Sequence, residues 1–75
     1  MNKIEALEEI KEVWNNIDLK LGEKISKISS AFYSTGLDLD ATAAYIKATP
    51  SELDSFLLLV DFDNEILDMI SKVNP

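Results

Sequence analysis

Residues 3 to 17 mix apolar and charged positions with an apolar residue returning every three or four. Ile4, Leu7, Ile10, Trp14 and Ile17 form the apolar set, with Glu5, Glu8, Glu9, Lys11 and Glu12 between them, the pattern of an amphipathic helix. The following "NNID" is rich in side chains that compete for backbone hydrogen bonds, so the chain bends there or runs on to Leu21. A second set, Leu21, Ile25, Ile28, Ala31 and Phe32, predicts a helix over 19–34, closed by Gly36 in the left-handed conformation. Gly22 costs that helix about 1 kcal/mol relative to Ala, which favours a break between the two helices near 18–22.

Asp38 or Asp40 then caps a short alanine-rich helix that reaches about Ala48. Thr49-Pro50-Ser51-Glu52 is a capping box: the Thr49 hydroxyl accepts from the Glu52 amide, Glu52 reaches back, and Pro50 sits where a missing N–H costs nothing. The helix it opens should end near Val60, with Leu53, Phe56, Leu57 and Val60 filling one face and Leu58 and Leu59 falling toward the rim. Asp61 or Asp63 can cap one more helix, with Phe62 and Leu67 at the separation of a hydrophobic staple and Ile66, Leu67, Ile70 and Val73 as its apolar face. No stretch alternates long enough for a strand, and there is no repeat or low-complexity linker. The expected fold is all-α, a small bundle of about five helices, with Trp14 in the core against the helix that carries "FLLLV".

Seventy-five residues make one domain, near the lower limit for a core without disulfides or metal. Cys and His are absent, which removes disulfides, thiol chemistry, the usual zinc sites and imidazole catalysis. The apolar run Phe56 to Val60 is far too short to span a membrane, and the charged N-terminus "MNKIEALEEIKEVW" lacks the uncharged core of a secretion signal. A cytoplasmic location is the expectation. Net charge is −7, unevenly spread: residues 1–37 carry five Lys and six acids, residues 38–75 two Lys and eight acids. Such a surface repels phosphate; it is either a solubility charge or a face for a basic partner.

Asp61, Asp63 and Glu65 alternate like the start of a calcium loop, but the sixth position is Ile66 and the twelfth Lys72, where Gly and Glu are needed. Helix capping accounts for these acids better. With no imidazole, thiol, glycine-rich phosphate loop or recognisable acid pair, no catalytic residue, metal or cofactor is expected, and the chain reads as a non-enzyme.

The stretch "GLDLDATAAYIKATPSELDSF" resembles the helix-turn-helix motif of the phage-repressor and Cro superfamily. Leu37 stands before the cap, Ala43 at the small crossing position, Ile46 inside, Ala48 at the turn, Thr49-Pro50-Ser51 in it, and Leu53 and Phe56 toward the core. The resemblance runs loosely from Leu21 to Val73. It implies an added N-terminal helix over 1–18 and a helix-turn-helix-like core over 19–75. The turn usually carries Gly where this chain has Lys47, and Leu is usual where it has Thr42.

The resemblance also implies that Ser51, Glu52, Asp54, Ser55 and Leu58 face outward, where family members reach base edges. None is a cation, and no Lys or Arg lies between Lys47 and Lys72. Most contacts to DNA go to phosphates, so these carboxylates disfavour it. Lys20, Lys24 and Lys27 form a stripe that is either a solvated face beside Glu23 or, in a DNA-binding reading, a set of phosphate contacts. The reading carried forward is an interaction module in which Glu52, Asp54, Asp61 and Asp63 steer a basic protein while Leu58, Leu59 and Ser55 supply the contact. Its rivals are a DNA-binding regulator and a structural homodimer joined through the N-terminal helix.

Overall fold

The computed structural model describes residues 1–61, 66 and 69. Among them are four α-helices, α1 (Lys3–Trp14), α2 (Leu21–Ser34), α3 (Leu39–Tyr45) and α4 (Pro50–Leu58), then a 3₁₀ turn, Leu59–Asp61, and no strand. The all-helical class agrees with the sequence pattern. The fifth helix of that pattern falls largely outside the described residues, as do Phe62, Asp63, Leu67, Ile70 and Val73. Ile66 and Met69 are helical and exposed.

Three of the four helices begin where a side chain replaces a missing carbonyl. At α1, Asn2 Oδ1 accepts from the Glu5 amide (2.8 Å) and Glu5 Oε1 accepts from the Asn2 amide (3.4 Å), a capping box the sequence pattern had not singled out. At α3, Asp38 Oδ2 accepts from the Ala41 amide (2.9 Å). At α4 the expected box is formed: Thr49 Oγ1 accepts from the Glu52 amide (3.1 Å), Glu52 Oε1 from the Thr49 amide (3.2 Å), and Pro50 opens the helix. Only α2 starts without a side-chain cap, at Lys20.

Two of the helix ends share one geometry. After α2, Gly36 has φ 65, the Leu37 amide bonds to the Phe32 carbonyl (3.2 Å) and the Gly36 amide to the Tyr33 carbonyl (3.4 Å). After α3, Lys47 has φ 60, the Ala48 amide bonds to the Ala43 carbonyl (2.9 Å) and the Lys47 amide to the Ala44 carbonyl (3.2 Å). Both are Schellman endings, one built on Gly and the other on a side chain that rarely adopts it. Helix α3 therefore stops at Tyr45, short of the Ala48 expected. Helix α1 stops at Trp14 because Asn15 bonds to the Lys11 carbonyl through its amide (3.2 Å) and through Nδ2 (2.8 Å). Asn16 Oδ1 then accepts from the Asp18 amide (2.8 Å), turning the chain toward α2.

The core gathers Ala6, Ile10 and Val13 of α1, Ile28, Ala31 and Phe32 of α2, Ala43 and Ile46 from α3 and its end, and Leu53 and Leu57 of α4. Helix α1 packs chiefly along α2, and α3 on α4. This corrects the apolar set drawn for the first helix: Ile4 is 69% exposed, and Ile17, past the helix end, 91%. Ile4 lies about 120° around the helix from Ile10, whereas fully buried Ala6 lets α2 come close. Val60, expected in the core, is 46% exposed because the chain tightens into the 3₁₀ turn after Leu58 and swings it outward.

Trp14, expected in the core, is half-buried against it, and it meets Phe56 edge-on, centroids 5.1 Å apart, which ties α1 to the helix carrying "FLLLV" as expected. Lys11 Nζ lies 5.4 Å from the centroid of the Tyr45 ring and links α1 to α3. The fully buried Thr42 needs no outside partner, since its hydroxyl donates to the Asp38 carbonyl (2.7 Å) within its own helix. Among the described residues no helix is long and apolar enough to cross a membrane.

Candidate interaction face of α4

Leu53 and Leu57, both buried, fix the inner side of α4. At about 100° per residue, Ser51 and Leu58 then lie on the outer side within about 20° of each other, with Asp54 about 40° to one side of Leu58 and Ser55 about 60° to the other. All four are exposed, and Leu58 is 62% accessible. The face thus carries one carboxylate, Asp54, and one large aliphatic side chain, Leu58, with the small hydroxyl residues Ser51 and Ser55 beside them.

The other residues drawn from the sequence stand differently. Glu52 is exposed at the flank, its carboxylate already accepting the Thr49 amide. Leu59 is half-buried and about 100° around from Leu58, so the two leucines do not form one contact surface. Asp61 is exposed in the 3₁₀ turn; Asp63 lies outside the described residues. The structure therefore unites Asp54, Ser55 and Leu58 with Ser51, places Glu52 and Asp61 at the margins, and leaves Leu59 half-buried.

Lys20 and Lys27 are exposed and Lys24 is half-buried on α2. Lys27 lines two clefts between α1 and α2, and Glu9 lines both with it. The larger, 350 Å³, also holds Met1, Ser26, Ser30, Ala31 and Ser34. The smaller, 250 Å³, adds Glu12, Val13, Asn16 and Leu19. The sequence pattern had not marked this groove; its trace is the four-residue spacing of Ser26, Ser30 and Ser34, which leaves small side chains in one row. The carboxylates of Glu9 and Glu12 there offset the field of Lys27, so the lysine stripe is not an isolated positive patch. Among the described residues no group of three or more Asp or Glu is placed to hold a metal ion.

Lys47 is the one Lys or Arg between Lys27 and Lys72, and it projects from the turn between α3 and α4. Its left-handed backbone was not legible in its side chain; the departure from Gly at this position was. Compared with protein-family models, curated proteins and solved structures, the chain finds no match.

Proposed function

We propose that the chain is a non-enzymatic interaction module, built around a helix-turn-helix-like α3–α4 pair, whose α4 face receives a basic protein. The observation that carries this reading is the exposed line Ser51, Asp54, Ser55 and Leu58, with Glu52 and Asp61 exposed at its margins, on a helix free of Lys and Arg. A desolvated Leu58 supplies binding energy, and Asp54, Asp61 and the flanking Glu52 steer a cationic surface onto it. The helix-turn-helix description draws support from the four-residue connection 46–49 and from Lys47, left-handed where the repressor-like turn usually has Gly.

That same turn geometry favours a second reading, a DNA-binding regulator, with Lys20, Lys24 and Lys27 on phosphates. The acidic α4 face and the carboxylates around Lys27 weigh against it. Fluorescence anisotropy at physiological salt separates the two. Expected is salt-sensitive binding of a lysine-rich polypeptide, weakened by Asp54→Asn and Asp61→Asn, with duplex DNA no tighter than the roughly 10⁻⁴ M end of non-specific association. Micromolar DNA binding lost on replacing Lys24 and Lys27 would reverse the assignment.

A further inference from the structure

We draw no further inference here: the strongest candidate, the 350 Å³ cleft between α1 and α2 lined by Glu9, Lys27 and the row Ser26, Ser30 and Ser34, is a stripe of small exposed residues beside two opposite charges that offset each other, and nothing in the structure points to a ligand that fills it.

Discussion

Lys47 and Gly36 occupy equivalent places at the ends of α3 and α2, with φ 60 and 65, yet only one has a Cβ to strain. The left-handed conformation costs a residue with a side chain about 1–2 kcal/mol, and glycine's greater freedom in the unfolded chain returns part of that. Lys47→Gly is therefore expected to stabilise the protein by about 0.5–1 kcal/mol, seen as a higher urea midpoint at unchanged slope. Gly36→Ala should do the reverse by about 1 kcal/mol, a purely conformational loss, because an added Cβ would meet nothing within 4 Å. The contrast explains what was legible at this scale. Gly36 announced its own conformation, whereas Lys47 is held by the Schellman bonds behind it and by the Thr49 box ahead, neither of which its side chain reveals.

The starts of α3 and α4 were legible because capping is a short-range affair: Thr49 and Glu52 satisfy each other within one turn whatever packs above them. Thr49→Ala should cost about 1 kcal/mol and release Glu52, with thermal unfolding as the readout. Which face a helix buries was harder to read, since α1 carries two neighbouring apolar stripes and periodicity alone does not rank them. Ile4, Leu7 and Trp14 lie along one, Ala6, Ile10 and Val13 along the other, and α2 chose the stripe with the small residue. Denaturant unfolding decides the point. Ile10→Ala is expected to cost about 2–5 kcal/mol, and Ile4→Ser to stay within about 0.5 kcal/mol of the parent. The exposure of Leu58 and Asp54 was legible for a like reason, since both follow from the period once Leu53 points inward, while an unbroken apolar run hid the step of about 100° that keeps half-buried Leu59 from sharing a surface with Leu58.

For the molecule as a whole, the radius of gyration is 11.9 Å, near the roughly 11 Å of a close-packed chain this size, and 75 residues give a stability on the order of 4–11 kcal/mol. A net charge of −7 works against that compactness, most of all in the second half, where eight acids face two lysines. Raising salt from about 0.01 M to 0.15 M shortens the screening length from about 30 Å to 8 Å and should raise the melting temperature. Asp54 is exposed in mid-helix, away from the favourable field of the first turn, so Asp54→Lys should stabilise by a few tenths of a kcal/mol and flatten the salt response. The same change should weaken binding of a lysine-rich polypeptide about tenfold. Opposite signs in the two measurements would mean that the carboxylate serves a partner at the fold's expense. A loss in both would make Asp54 a structural residue, and the acidic face would then need another explanation.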